Sequence, residues 1–251
     1  MSESGDVGTN GAAIDKRPET IGGLFDAITP TYDNLNRMMS MSADIMWRKQ
    51  GLDRLDIQKG DEVLDIATGT GDMAIQAAGR TECSIVGIDL SKNMMLEAER
   101  KWGRQKVKGR YSLVKGDALA MPFPDGTFDK AMVAYGIRNM VDIDRFVGEV
   151  HRVLRPGGRF LVLELSVPAC RITRPIYLLY LTRIMPLIGR FQSGNQAAYE
   201  YLRDSILTFP APDEVERLME RKGFRIVSSV PQTMNICHLY VMEKGRDSRV
   251  P

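Results

Sequence analysis

Histidine is almost missing from this 251-residue chain: His151 and His238 are the only two. A metal site built from several histidines is therefore excluded, and no metal is expected. Cysteine is scarce as well. Cys83, Cys170 and Cys237 lie far apart, are odd in number and never form Cys-x-x-Cys. This argues against a disulfide framework or structural zinc and fits a reducing cytosol. No run of Lys or Arg is long enough to track a nucleic-acid backbone, and the net charge is only +2, so no nucleic-acid partner is expected. Long apolar runs are also lacking. The strongest near a helix, Ile176 to Leu181, is closed off by Arg183, far short of the roughly 20 residues that cross a bilayer.

What is present suits one large domain. A hydrophobic share of 43% in a chain of this length is enough to bury a sizeable core. Residues 1–20 are polar and rich in Gly, Ser, Thr and Asn, without a signal peptide's apolar centre, and read as a disordered tail. Residues 21–60 read as helical. From residue 61 strands and helices alternate: apolar Val63–Ala67, then helical spacing through Met73, Ala74, Ala77 and Ala78, then Ser84–Asp89. Ser91 is placed to cap a helix running to about Trp102. Tyr111–Val114, Lys130–Tyr135 and Arg159–Leu165 read as further strands. Between the last two, Asp142–Leu154 carries Phe146, Val147, Val150 and Leu154 on one helical face, and Arg155–Gly158 reads as its sharp stop. Residues 168–210 have no strand signal and read as a helical insertion over the strand ends. A helix over Pro212–Lys222, a hairpin from Ile226–Val230 and Ile236–Met242, and a tail at 246–251 complete the chain. The rhythm predicts a doubly wound, mostly parallel α/β sheet, its core in residues 61–167 and closed by residues 211–245.

In such sheets ligands bind beyond the carboxyl ends of the strands. There the first strand breaks into a Gly-rich turn, "VLDIATGTGD" (Val63–Asp72). A P-loop is excluded, because no Gly-Lys-Ser/Thr follows to grip a phosphate. A dinucleotide is harder to dismiss: Gly69 and Gly71 fit G-x-G-x-x-A, and Asp89 stands near the place of a ribose-binding acid. Charge separates the two remaining ligands. The turn holds no Arg or Lys, and Asp65 and Asp72 flank it. A pyrophosphate there would need compensation, whereas S-adenosylmethionine carries a sulfonium and an ammonium and no phosphate. Asp65, Asp89 and Asp117 at three successive strand ends suit it, with Asp89 for the ribose hydroxyls and Asp117 for the adenine amine.

These residues resemble a class I S-adenosylmethionine-dependent methyltransferase and, more narrowly, the ubiquinone/menaquinone biosynthesis C-methyltransferase family. The resemblance covers roughly residues 20–245. It is carried by "YDNLNRMMSMSADIMW" (Tyr32–Trp47), "GIRN" (Gly136–Asn139), "RVLRPGGRFLVLELS" (Arg152–Ser166) and "SGNQAAYEYLRDSILTFP" (Ser193–Pro210). It implies the seven-stranded methyltransferase sheet, with residues 21–60 as a substrate cap and 168–210 as a prenyl or substrate lid. It also implies cofactor contacts at Thr70, Asp89 and Asp117–Ala118. A family serine before the Gly-Ile/Leu-Arg-Asn motif is Ala134 here, and a family Gly and His are Ser42 and Asp44.

The implied activity is methyl transfer from S-adenosylmethionine to a ring carbon of a prenylated quinol, demethylmenaquinol first and the ubiquinone-pathway benzoquinol as alternative. A ring hydroxyl must lose its proton first, and Tyr32, Asp33, Asp44, Arg138 and Asn139 are the candidates around that step. His238 reads as structural and His151 as surface-facing. The apolar, Arg-studded stretch Ala169–Phe191 suits a prenyl groove or peripheral contact with the cytoplasmic face of a membrane, or a homodimer face. A non-quinone acceptor, an NAD-dependent oxidoreductase and a non-catalytic cofactor-binding module are the competing readings.

Overall fold

The computed structural model describes residues 15–105, 107, 109–186 and 196–246. The centre is a seven-stranded sheet in the order β3-β2-β1-β4-β5-β7-β6. Its strands are β1 (Glu62–Ile66), β2 (Ser84–Asp89), β3 (Arg110–Lys115), β4 (Phe128–Ala134), β5 (Leu154–Leu165), β6 (Phe224–Gln232) and β7 (Cys237–Lys244). β1 to β5 pair in parallel, and β7 runs antiparallel between β5 and β6. Helices cover both faces, which is why the inner strands read as continuous apolar runs: Val63, Leu64 and Ile66 are fully buried.

The helices are α1 (Pro18–Ile28), α2 (Tyr32–Met39), α3 (Ala43–Leu55), α4 (Asp72–Ala78), α5 (Lys92–Gly103), α6 (Ile143–Val153), α7 (Thr173–Leu179), α8 (Gln196–Leu207) and α9 (Pro212–Arg221). α6 and α9 build one face of the core through Phe146, Val147, Val150, Val215 and Met219. α3 and α4 build the other through Trp47, Leu52, Leu55, Met73 and Ala77. The expected cap of α5 is present: Ser91 Oγ accepts from Met94 N at 3.1 Å. α7 continues as a π-helical turn over Tyr180–Ile184, and Tyr177, Leu181 and Met185 pack on Leu35, Tyr199 and Ile206.

Two expectations are corrected. Residues 18–20, read as tail, are helical, because Pro18 at the first helical position has its φ already set for α1. Arg155–Gly158 is not a stop before a later strand. β5 begins at Leu154, which pairs with Phe128 of β4, and Gly157 takes a φ of 78° within it. Residues 1–14, 187–195 and 247–251 lie outside the described residues, so Arg190, Phe191 and the Ser193 end of a quoted segment are not placed.

Candidate functional site

The order of the sheet reverses between β1 and β4, so their carboxyl ends leave a crevice. Both ends carry unusual backbone. Ala67, Gly69 and Gly71 have φ of 50°, 55° and 79°, and Tyr135 after β4 has 60°. Positive φ is costly for Ala and Tyr, and such strain is concentrated at ligand sites. Gly136 lets the two turns approach: a Cβ there would lie 2.9 Å from the Ala67 Cβ and 2.9 Å from Val133 Cγ2.

A cavity of about 790 Å³, counting its open mouth, lies over these ends. Gly69, Asp89, Asp117, Ala118 and Ala134, the expected cofactor residues, line it together with Asn139, which was expected at the acceptor. Asp89 is fixed by two backbone donors, Gly69 N to Oδ2 at 2.8 Å and Ser91 N to Oδ1 at 2.9 Å. Burial nonetheless pushes its carboxyl above the usual range. Asp117 Oδ1 accepts from Leu119 N at 2.9 Å. Among the described residues, Asp65, Asp89 and Asp117 take part in none of the ion pairs. Ile88, Met94 and Leu119 supply an apolar wall; among the described lining residues there is no arginine, and Lys16 brings a positive charge. Asp89 and Asp117 offer acceptors to hydroxyl- and amine-bearing ligands.

Asp65 stands elsewhere. It is only 1% exposed, on β1 behind the turn and outside the cavity lining. Thr68 Oγ1 donates to its Oδ2 at 2.6 Å, and the Tyr111 hydroxyl meets the same Thr68 oxygen at 2.7 Å. Burial, together with the charge of Asp89, pushes the Asp65 carboxyl up to about 7. Thr70 and Gly71 also lie off the cavity wall. Thr70 Oγ1 donates to Asp33 Oδ1 at 2.6 Å, tying the turn to α2.

The flanking acid Asp72 is not a free negative charge. Lys101, Arg48 and Arg37 surround it, the two arginines at 3.4 and 3.5 Å. Lys101 also pairs with Asp33 at 2.7 Å, and Arg48 with Asp44 at 2.6 Å. The turn itself lacks cations, but α2, α3 and α5 bring them from elsewhere along the chain. Asp33 and Asp44 are thus consumed in a network beside the turn and line neither cavity described here. Ser40 Oγ completes it by donating to Asp44 at 2.7 Å.

A second cavity, of about 460 Å³, adjoins the first; Phe25 and Tyr32 line both. Its wall is mostly apolar, with Leu24, Ile28, Leu35, Met39 and Leu202, and its polar groups are Tyr32, Asn36, Arg138, Tyr199 and Tyr201. Arg138 is 5% exposed. Its Nη1 donates to Glu164 Oε1 at 2.7 Å and to Tyr135 O at 2.5 Å, and Nε donates to Ser205 Oγ at 3.3 Å. Asn139 Oδ1 accepts from the Tyr201 hydroxyl at 2.9 Å. Burial raises the Tyr32 phenol above its ordinary value, against the opposing influence of Asn36 and the charges of Arg138 and Arg48. Tyr32 is therefore a neutral donor at physiological pH.

Several lining residues escaped sequence reading. Ile21, Gly22 and Phe25 of α1 wall the first cavity, and Lys16 joins them, its Nζ donating to Arg138 O at 2.7 Å. Asp26 pins α1 at the start of α5, accepting from Ser91 Oγ at 2.5 Å and Asn93 N at 3.0 Å. No local motif signals such cross-chain contacts. The histidines stand apart. His238 bonds Asn235 and Ser229, and the His151 ring meets Phe224 edge-on at 5.1 Å.

Residues 13–244 match the ubiE/COQ5 methyltransferase family. The "Ubiquinone/menaquinone biosynthesis C-methyltransferase UbiE" of Geobacter sulfurreducens is 41% identical over 234 residues, 92% of this chain and 91% of its own. The "Demethylmenaquinone methyltransferase" of Thermus thermophilus is 40% identical over 205 residues, 81% and 92% of the two chains. Among solved structures, a SAM-dependent methyltransferase from Aquifex aeolicus aligns with a TM-score of 0.57 at 16% identity, covering 90% of this chain and 98% of that one. The [4+2]-cyclase SpnF aligns at 0.67 with 17% identity, covering 91% and 96%. One fold thus carries different chemistries, so these structural likenesses establish architecture alone. The family match over residues 13–244 and the relatives at 41% and 40% identity over most of the chain lead to one conclusion: the chain belongs to the ubiE/COQ5 methyltransferase family.

Proposed function

We propose that this protein transfers a methyl group from S-adenosylmethionine to a ring carbon of a prenylated quinol, converting demethylmenaquinol to menaquinol. The observation that carries this is the pairing of two adjoining cavities through Phe25 and Tyr32. One is rimmed by unpaired carboxylates and the other is apolar with a few polar groups.

The first cavity suits the methyl donor. In this reading Asp89 accepts from the ribose hydroxyls, Asp117 and Ala118 meet adenine, and the carboxylates favour a cation. When bound, S-adenosylmethionine supplies an electrophilic methyl on a sulfonium. The chain's own work is to align the acceptor and to stabilise its phenolate. Alignment of reacting groups is worth several kcal/mol (~7–11 at best). Arg138 is always protonated, so it serves as an electrostatic partner for a ring oxygen and not as a base. Tyr32 at the seam acts as a hydrogen-bond donor, with Asn139 on the cofactor side.

Access for a prenyl tail fits α7. Ile172, Ile176 and Leu179 are 74%, 65% and 57% exposed on the side opposite Tyr177 and Leu181. No Asp or Glu occurs between Glu164 and Glu200, whereas Arg171, Arg174 and Arg183 do. Such a face suits reversible contact with an anionic membrane surface on the cytoplasmic side. Among the described residues no helix is long and apolar enough to cross a membrane.

The test is direct. Purified protein given S-adenosylmethionine and demethylmenaquinol in detergent micelles should yield a quinol one methyl heavier by mass spectrometry. An unchanged quinol would refute the assignment.

A further inference from the structure

In the second cavity one polar atom stands out. Asn36 on α2 lines the cavity, and its Nδ2 is buried without a hydrogen-bond partner among the described residues. Asn36 is near enough to the Tyr32 phenol to favour its ionised form. Yet Nδ2 makes no bond of acceptable geometry to it. A buried amide N–H left unpaired costs stability, and native folds rarely keep one without a use. The wall around it combines the apolar Leu24, Ile28, Leu35 and Met39 with the polar groups of Tyr32, Arg138, Tyr199 and Tyr201.

We infer that Asn36 Nδ2 is the donor that reads a ring oxygen of the acceptor, so that Asn36 is a specificity-determining residue of this enzyme. The inference rests on the functional reading above and deepens it. The ligand chemistry follows from the lining. A planar aromatic ring fits beside Phe25 and Tyr32, which pack edge-to-face at 5.9 Å and 76°. An oxygen on that ring meets the amide, and an apolar substituent lies against the aliphatic wall. The carboxylate network of Asp33, Asp44 and Asp72 stays outside this cavity, so a phenolate there meets no carboxylate from it.

Asn36→Leu removes the donor while keeping the same branched side-chain skeleton. With demethylmenaquinol in micelles, KM is expected to rise about tenfold or more while kcat stays within about threefold. S-adenosylmethionine affinity should be unchanged. The melting temperature should hold or rise, because an unpaired buried donor has been deleted; a purely structural asparagine would instead lower it. Two analogues, each lacking one ring oxygen, complete the test: for one of them wild type and Asn36→Leu should become equal in kcat/KM. Wild-type turnover with an unaltered KM in Asn36→Leu would overturn this inference alone. A lowered melting temperature would also overturn it, since Nδ2 would then have a partner within the fold. Wild-type protein that binds S-adenosylmethionine yet leaves the quinol unchanged would overturn the functional reading, and this inference with it.

Discussion

Arg138→Ala is expected to lower folding stability by about 3–5 kcal/mol, the usual cost of breaking a buried ion pair from one side. In a chain of this size that is a fall in melting temperature of about 6–20 °C. Glu164 is 1% exposed and would be left charged without its guanidinium. The Tyr135 carbonyl and the Ser205 hydroxyl would lose a donor as well. The double variant Arg138→Met with Glu164→Gln separates structure from chemistry. It buries no charge, and one amide oxygen remains for the Leu165 N–H, which donates to Glu164 at 2.8 Å. Thermal melts should show most of the lost stability restored. Turnover should stay low, because no cation then faces the second cavity at that position. A double variant with normal turnover would confine Arg138 to holding the ends of β4 and β5 together.

Asp65→Asn should act in the opposite direction. The Asp65 carboxyl is raised to about 7 in the folded protein, against about 3.9 in an unfolded chain. The folded state therefore binds its proton more tightly. From this group alone, wild-type stability falls as pH rises from about 4 to about 7, and then levels off. A gap of about three pH units corresponds to roughly 4 kcal/mol. Asparagine has no charge to bury, and its carbonyl still accepts from Thr68. Urea melts across pH 4–9 should show the variant equal to wild type at the acid end and more stable by a few kcal/mol above pH 7. A pH-independent difference would mean that Asp65 is not the group under strain. Removing this charge should also weaken binding of a cationic ligand next door, since Asp65 lies close enough to Asp89 for the Asp89 charge to raise it.

The sheet was legible because burial on both faces leaves inner strands with one composition. β2 matches its expected span, Ser84–Asp89, and Phe146, Val147 and Val150 do form the buried side of α6. The cap at Ser91 was legible from a single hydroxyl before a helical run. Asp89 and Asp117 reach the cavity because each sits where a strand runs out. Asp65 was harder. It lies within β1 and not past its end, and one residue of register decides whether a side chain enters the crevice or the interior. The local charge argument was incomplete for another reason. Lys101 is 29 residues from Asp72 and reaches it only because the last turn of α5 lies over the start of α4. Likewise, pairing of Arg138 with Glu164 needs β4 and β5 to be neighbours, which no single motif states. The helical character of residues 21–60 was readable. That α1 walls the first cavity was not, since its contacts with α5 run through Asp26 across 65 residues of chain.

Calorimetric titration of wild type and Asp89→Ala with S-adenosylmethionine and with NADH bears most directly on this picture. Wild type should bind S-adenosylmethionine and show no comparable heat with NADH. Asp89→Ala should weaken S-adenosylmethionine by about a hundredfold, through loss of two charge-assisted hydrogen bonds at ~1.5 kcal/mol each. Tight NADH binding, or an Asp89→Ala variant with undiminished affinity for the methyl donor, would contradict it.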